Sequence, residues 1–147
     1  MDRFVLVTDH SLNLKKIAMT SPRGLIIRSS HYTVKETIDR LQAILLQKGV
    51  TIYTRIDQQE ELAKTGQHIP PLEFLLFGNP KAGGPIMAVH PAAAIDLPLK
   101  VVAWEDDAKQ VRIAYNEAQY IQERFALPAD LSGPLDLNLV VNKTLGE

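Results

Sequence analysis

The sequence predicts an α+β domain in which a two-layer antiparallel sheet carries helices on one face. Two observations support this class. A capped amphipathic helix begins at Thr33, and four β-prone segments follow it before a second helical segment. Short connections join some of these segments, and such strands pair antiparallel because a parallel pair needs a long crossover. The predicted order is therefore strand, helix, four strands and helix around one core.

The helix over residues 33–48 has the clearest pattern. Thr33 and Glu36 have the spacing of a capping box, in which the Thr33 side chain accepts from the Glu36 amide and the Glu36 carboxylate reaches back. Apolar residues then recur at helical spacing and form one stripe: Val34, Ile38, Leu41 and Leu45. Gly49 follows, at a position where helices commonly end.

The strands are predicted from short segments rich in β-branched and alternating apolar residues. Leu25–Arg28 precedes the helix, and four more follow it: Val50–Ile56, Glu73–Phe77, Leu99–Glu105 and Gln110–Tyr115. The acidic turn 105–107 joins the last two into a hairpin. Gln58–Lys64 is predicted as a short helix. Residues 78–98 are rich in Gly, Pro and Ala, which favours either a loop or short helical turns.

The ends of the chain are predicted to extend a central domain at 24–127. Asn116 is expected to cap a helix that runs to about Ala126. The N-terminal extension, 1–23, contains a possible strand and a basic amphipathic piece: Phe4–Thr8 and Leu12–Met19. The C-terminal extension, 128–147, is predicted to be helical from the spacing of four apolar residues: Leu137, Val140, Val141 and Leu145. The alternative is a strand over Leu139–Val141.

Composition excludes several classes of site and disfavours several classes of partner. The 147 residues include no cysteine, which excludes disulfides, zinc–thiolate sites and a cysteine nucleophile, and fits a reducing compartment. Sixteen basic residues against seventeen acidic give a net charge of −1, without the basic excess that nucleic-acid binding requires. Apolar runs are too short to span a bilayer. We therefore expect a cytoplasmic protein with no nucleic-acid partner, no membrane partner and no cofactor.

Four segments resemble the bacterial and archaeal domain-of-unknown-function family 302. In order they are TVKETIDRLQAILLQKGVTIYTRID (33–57), FLLFGNPKAGGPIM (74–87), IDLPLKVVAWED (95–106) and VRIAYNEAQYIQERFAL (111–127). The resemblance covers about residues 24–127 and implies a fold like that of the TATA-binding protein, β-α-β4-α, with no established activity. Similar family members usually have Ile-Asp-His and Gly-Thr-Pro where this chain has Ile56-Asp57-Gln58 and Gly83-Gly84-Pro85. A site that depended on that histidine or threonine would be absent here.

The segment FGNPKAGGP, residues 77–85, is the most suggestive candidate for a ligand site. Consecutive backbone amides beside a lysine can form an anion-binding nest. We therefore predict a site for a small anionic or polar ligand formed by five residues: Asp57, Asn79, Lys81, Gly83 and Gly84. The alternative is a tight turn shaped by its glycines and prolines. For Asp57 the alternative roles are an ion pair or the cap of the helix that begins at Gln58.

Two other functional classes compete with this binding domain. One is a hydrolase-like enzyme that uses Asp57, Lys81 and His68; the other is a structural or interaction module without a ligand. The four histidines, at positions 10, 31, 68 and 90, lack the local spacing of metal ligands, so no metal site is predicted. No motif for a catalytic serine is present.

Two predicted strands, 73–77 and 99–104, are apolar on both sides. Helices on one face of a sheet would cover only one of these sides. A second subunit or the terminal segments should cover the other, because an exposed apolar sheet face usually marks an interface. We therefore predict a homodimer.

Overall fold

The structure, a computed structural model, describes residues 21–147. The expected strand and amphipathic piece near the N-terminus lie outside these residues. The described residues form five strands and five α-helices, which are β1 Leu25–Ser30, α1 Val34–Gln47, β2 Thr51–Asp57, α2 Gln58–Ala63, β3 Leu72–Gly78, α3 Pro80–Val89, β4 Leu99–Glu105, β5 Val111–Asn116, α4 Ala118–Arg124 and α5 Asn138–Leu145. Three short 3-10 helices connect them, at Pro91–Ile95, Ala129–Leu131 and Gly133–Leu135.

The strands form one antiparallel sheet in the order β1-β5-β4-β3-β2. The prediction of an α+β domain with this order of strands and helices is therefore confirmed. β4 lies at the centre of the sheet and β1 and β2 lie at its edges. A shift in register interrupts the pairing of β2 with β3 between Ile52 and Thr54.

The main core lies between one face of the sheet, which we call the inner face, and the helices α1 and α5. The predicted apolar stripe of α1 is at most 3% exposed. Four inner-face residues of β3, β4 and β5 are completely buried against it: Leu75, Val101, Ala103 and Ile113. Burial of this stripe, rather than helix propensity alone, holds α1 in place.

The N-terminal cap of α1 is confirmed with one difference in detail. Thr33 Oγ1 accepts from the backbone amide of Glu36 at 3.1 Å, as predicted. The Glu36 carboxylate, however, accepts from the Thr33 hydroxyl at 2.9 Å, whereas a capping box would bring it to a backbone amide. Gly49 follows the helix with a φ of +74°, a conformation that residues with a Cβ rarely adopt.

The prediction that Asn116 caps the helix after β5 is wrong. Asn116 is still part of β5 and pairs with Leu25 of β1. The next amide, that of Glu117, donates to the carbonyl of Gly24 at 2.8 Å, which continues the strand pairing by one residue. The N-cap position of α4 therefore falls on Glu117, which makes no side-chain capping bond.

The C-terminal segment packs against the same core as α1. Val141 and Leu145 of α5 are 0% and 5% exposed and belong to the same cluster of buried residues. Arg40 of α1 donates from Nε to the carbonyl of Thr144 at 2.7 Å, at the end of α5 where carbonyl groups lack helical partners. The boundary between a domain and an extension after residue 127 stays a prediction, and this packing places side chains from both sides of it in one core.

Asp39 makes the stability of α1 dependent on pH in acid. Hydrogen bonds from Lys35 Nζ at 2.9 Å and Arg55 Nη1 at 2.6 Å hold the pKa of Asp39 below its usual range. The pKa of Asp39 is thus lower in the folded state than in the unfolded state. The stability that its ionised carboxylate contributes is therefore present above about pH 4 and is lost as pH falls through the folded-state pKa. We expect Asp39→Asn to be less stable than the wild type at pH 7. This difference should shrink below about pH 4 in urea titrations, and a constant difference would contradict the assignment.

Candidate functional site

Asp57 acts as the cap of α2. It is the last residue of β2, and its Oδ1 accepts from the backbone amide of Glu60 at 3.0 Å. The capping role considered for this residue is therefore confirmed. The carboxylate satisfies an amide at a helix N-terminus, which is a structural task.

The sheet register separates Asp57 from the glycine-containing segment. In the pairing of β2 with β3, Asp57 lies opposite Glu73 and Thr51 lies opposite Gly78. Five residues of extended chain separate Glu73 from Gly78, which is about 17 Å. The structure therefore does not bring Asp57 to Asn79 and Lys81, because the two groups lie at opposite ends of the same strand pair.

The residues named for a hydrolase are separated for the same reason. His68 is exposed and lies in the segment that enters β3, at the Asp57 end of the strand pair. Lys81 lies beyond the other end of β3 and is also exposed. An acid, a base and a cation placed in this way do not share a substrate site.

The segment from Asn79 onward is the first half of helix α3, not a loop. Asn79 is the N-cap, and its Oδ1 accepts from the amide of Lys81 at 3.0 Å. Its carbonyl accepts from the amides of Ala82 and Gly83, both at 2.9 Å. The anion nest depended on amides that point away from the backbone toward a ligand. The amides of residues 81–83 instead donate to Asn79, and the anion site itself stays a prediction.

Helix α3 has a sequence that disfavours helix formation. Two glycines lie in its interior, and Pro85 cannot donate to the carbonyl four residues before it. Neither Gly83 nor Gly84 has a positive φ among the described residues, so backbone conformation does not require glycine at either position. A Cβ on Gly83 would meet only Met87 Cε, at 3.7 Å, and one on Gly84 would meet nothing within 4 Å. The glycines therefore leave open space beside the helix.

Part of that open space is a pocket of about 110 Å³ beside α3, which we call the α3 pocket. Four parts of the chain line it: Tyr53, then Gly78, Asn79, Pro80, Ala82, Gly83, Ile86 and Met87, then Leu97, Pro98 and Leu99, and finally Pro134 and Leu135. Ile86 and Leu135 are almost fully buried, at 0% and 2% exposure. The Asn79 carboxamide and the Tyr53 hydroxyl are the polar side-chain groups of this lining, and none of its side chains is charged.

A second, smaller core lies beside the α3 pocket and shares Ile86 and Leu135 with its lining. It contains buried residues from α3, α4 and the connecting turns: Ile86, Ala93, Ile121, Phe125, Leu127 and Leu135. Leu99, at the start of β4, packs against both this cluster and the main core. The contacts of Leu99 thus fix the pocket at the end of the sheet, although the sequence of α3 has a low intrinsic helix propensity.

Two of the clefts that are larger than the α3 pocket have a different chemistry. The first, of about 380 Å³, is lined mainly by carboxylates and amides from 116–123 and 136–138. The second, of about 330 Å³, includes Asp57 and three glutamates. Apart from Glu73, which is paired with Arg55, the acidic side chains of these clefts are solvated by water, so volume alone does not favour either cleft as a ligand site. The α3 pocket is smaller, but its apolar lining is the kind that ligand sites usually have.

Near the first of these clefts, the Tyr115 hydroxyl donates to Asn138 Oδ1 at 2.7 Å. Burial of this side chain raises its pKa. The hydroxyl therefore stays protonated at neutral pH and serves as a donor that ties β5 to α5. Residues 21–147 contain no group of three or more His, Asp or Glu side chains placed to hold a metal. No helix among them is both long enough and apolar enough to cross a bilayer.

A family model matches residues 25–135, and its description is "Domain of unknown function DUF302". The resemblance found in the sequence is therefore confirmed. A solved structure of similar fold is an uncharacterized conserved DUF302 protein from Bacillus stearothermophilus. The superposition covers 85% of this chain and 98% of the Bacillus chain, with a TM-score of 0.69. The two sequences are 19% identical, so this similarity shows the fold alone.

Similar curated proteins come from Brucella. A protein of Brucella suis biovar 1 (strain 1330) and one of Brucella abortus biovar 1 (strain 9-941), each named "Fluoride-specific ion channel FluC 1", are 31% identical to this chain over 121 residues. The match covers 82% of this chain but only 47% and 44% of the two relatives. The chain thus spans about half the length of the curated relatives it matches.

Proposed function

This chain belongs to the DUF302 family, a domain of unknown function, and we propose that it is a non-catalytic binding domain for a small, mainly apolar molecule. The α3 pocket carries this proposal. Its lining comes from four separate parts of the chain and is mainly apolar, and Asn79 and Tyr53 supply its polar groups. A concave apolar site with a few polar groups is typical of small-molecule sites.

The size of the α3 pocket limits the ligand group that it takes. A cavity of about 150 Å³ engineered in another protein binds benzene, so about 110 Å³ fits a small ring or a branched alkyl group. The Asn79 carboxamide offers N–H donors to an acceptor on the ligand, since its oxygen already accepts from Lys81. We expect weak binding of a fragment this small, with Kd values of about 0.1–1 mM.

This ligand class differs from the anionic or polar ligand expected from the sequence. None of the pocket-lining side chains carries a positive charge, and a bare anion loses hydration without compensation in such a lining. Lys81 is exposed and is not part of the lining. Phosphate and other small anions are therefore expected to bind poorly in the α3 pocket.

The Brucella relatives support an accessory role within a larger protein. They are named as fluoride-specific ion channels, and more than half of each lies outside the match. We propose that the matched part is a ligand-binding accessory domain and that fluoride is handled by the remainder. We also propose a cytoplasmic location, since a chain without cysteine fits a reducing compartment.

A thermal-shift experiment with two matched variants tests the binding proposal. Phenol and indole, at about ten times Kd, should stabilise the wild type by about 1.4 kcal/mol, or about 3–6 °C in Tm. Gly83→Leu places a side chain beside the pocket and should abolish this shift. Gly84→Leu, one residue along the same helix but outside the lining, should keep it.

Phosphate and fluoride serve as ligand controls and should leave Tm unchanged at the same concentrations. A shift with phosphate but not with phenol or indole would contradict the apolar pocket. A phenol shift that survives Gly83→Leu would place the binding elsewhere. Circular dichroism of both variants confirms that each is folded before the comparison is made.

A further inference from the structure

The sheet face opposite α1 and α5, which we call the outer face, is mostly apolar. Side chains alternate along a strand, so the residues between the inner-face positions point to this side. Nine of them are apolar: Leu25, Ile27, Ile56, Leu72, Phe74, Leu76, Val102, Trp104 and Ala114. The register places five of these in one row across all five strands, in the order Ile27, Ala114, Val102, Phe74, Ile56.

This face is in contact with solvent to a degree that the inner face is not. Ile27 is 37% exposed, and Phe74, Val102 and Trp104 are partly exposed, although Ala114 in the same row is 3% exposed; the inner-face residues Leu75 and Val101 are 0% exposed. A solvated face of an antiparallel sheet normally carries polar side chains. An apolar row across five strands instead predicts a partner that covers it.

The charged side chains of the outer face, Arg112 and Lys100, lie against neighbouring side chains. Arg112 donates from Nη1 to Ser29 Oγ at 2.6 Å and from Nε to Asp106 Oδ2 at 3.2 Å. Lys100 Nζ lies 4.6 Å from the centroid of the Phe74 ring. Arg112 of β5 lies opposite Trp104, near the end of β4, whereas Lys100 lies near the start of β4. The two charged residues are therefore at opposite ends of the face.

We propose that the outer face binds the outer face of a second copy of this chain, in a homodimer with a two-fold axis that runs across the strands at Val102. β4 is the central strand of the sheet. A two-fold axis perpendicular to the strands therefore stacks β4 of one copy on β4 of the other, with the two strands running in opposite directions. Lys100 of one copy then faces Trp104 of the other, a favourable cation–π pairing. Asn116 faces Arg112, and Leu76 faces Leu72, whereas Ser29 faces Leu25 on the edge strand β1.

An axis along β4 would give a poorer match. It would stack Lys100 on Lys100 and place the β5 residues Arg112 and Asn116 over the β3 residues Leu72 and Leu76. Like charges would then face each other, and polar groups would be buried against apolar ones without partners. The distribution of charge on the outer face therefore favours the axis that runs across the strands.

The area of the face agrees with a small homodimer. Five strands of up to seven residues cover about 24 Å by about 20 Å, or about 500 Å² in projection. Surface relief and the rim raise the accessible area toward the about 800 Å² per partner of a standard interface. The area is thus close to what a stable dimer needs.

Sedimentation equilibrium of the full chain at about 100 μM is the first test. We expect twice the chain mass of 16.4 kDa. Val102→Glu places two like charges on the proposed axis and should give the monomer mass. Leu139→Glu, an equally apolar residue that is 75% exposed on α5, should leave the dimer intact. A monomeric wild type, or a folded Val102→Glu protein that remains dimeric, would overturn the proposal.

A cross-linking test keeps the proposal falsifiable if Val102→Glu does not fold. The chain has no cysteine, so Val102→Cys introduces one thiol on the axis with little change in volume. A short bis-maleimide that spans the about 10 Å between stacked sheets should link this variant into dimers. Leu139→Cys should not be linked. The proposal would be overturned if the two variants were linked equally or if neither were linked. It would also be overturned if the Val102→Cys thiol reacted only after removal of residues 1–20, because that segment would then cover the face.

Discussion

Replacing Leu41 by alanine is expected to lower the free energy of unfolding by about 2–5 kcal/mol. Leu41 is 0% exposed and belongs to the α1 stripe that packs on the inner face of the sheet. The substitution removes buried apolar surface and leaves a cavity that the surrounding sheet cannot fill, since β3 and β4 are fixed by their pairing. Urea denaturation followed by circular dichroism measures the effect.

Leu46→Ala is the matched control for this prediction. Leu46 is the same residue type in the same helix, but it is 54% exposed. Its replacement by alanine should change the free energy of unfolding by less than about 0.5 kcal/mol. Equal effects of the two substitutions would mean that α1 packs with a different face toward the sheet.

The second large effect is expected from Arg55→Met, at about 3 kcal/mol. Arg55 Nε donates to Glu73 Oε1 at 2.9 Å, and its Nη1 donates to Asp39 Oδ1 at 2.6 Å, which links β2, β3 and α1. Glu73 is only 8% exposed, and loss of its partner leaves a carboxylate with little access to water. Breaking such a pair costs about 3–5 kcal/mol, and we take the lower end because the Arg55 side chain is 25% exposed.

The double variant Arg55→Met/Glu73→Leu separates the cost of an unpaired charge from the loss of packing. Replacing both partners by apolar residues should recover most of the lost stability, because no buried charge then remains. Lys35→Met removes an exposed partner of Asp39 and should cost less than about 1 kcal/mol. A double variant as unstable as Arg55→Met alone would show that packing, and not the charge on Glu73, causes the effect.

Local sequence patterns were sufficient to predict α1, α2 and the four strands that follow α1. The stripe from Val34 to Leu45 matches one buried helix face, and a pattern of this kind depends only on neighbours within two turns. Asn116 shows the limit of such reasoning. Its side chain suits a helix cap, but pairing with Leu25, far away in the sequence, keeps it in β5. Tertiary pairing outweighs a capping preference of about 1 kcal/mol.

The candidate site could be predicted only in part. Asn79 and Gly83 were identified from the sequence and line the α3 pocket, whereas Asp57 lies at the far end of the strand pair. The prediction missed the segments 97–99 and 134–135 because their apolar and proline residues look the same in a pocket wall as in a core or a turn. Only the fold brings these segments together with Tyr53 and the start of α3.

The proposed function is tested most directly by locating bound phenol with methyl NMR spectra of the full chain. Phenol should shift the methyl signals of Ile86 and Leu135, which line the α3 pocket, in a saturable manner at millimolar concentrations. Ile26 and Leu137 line the larger polar cleft and should not respond. Saturable shifts at Ile86 and Leu135 that disappear in Gly83→Leu are the result we predict. Shifts confined to Ile26 and Leu137, or no saturable shift at any methyl, would contradict a ligand site beside α3.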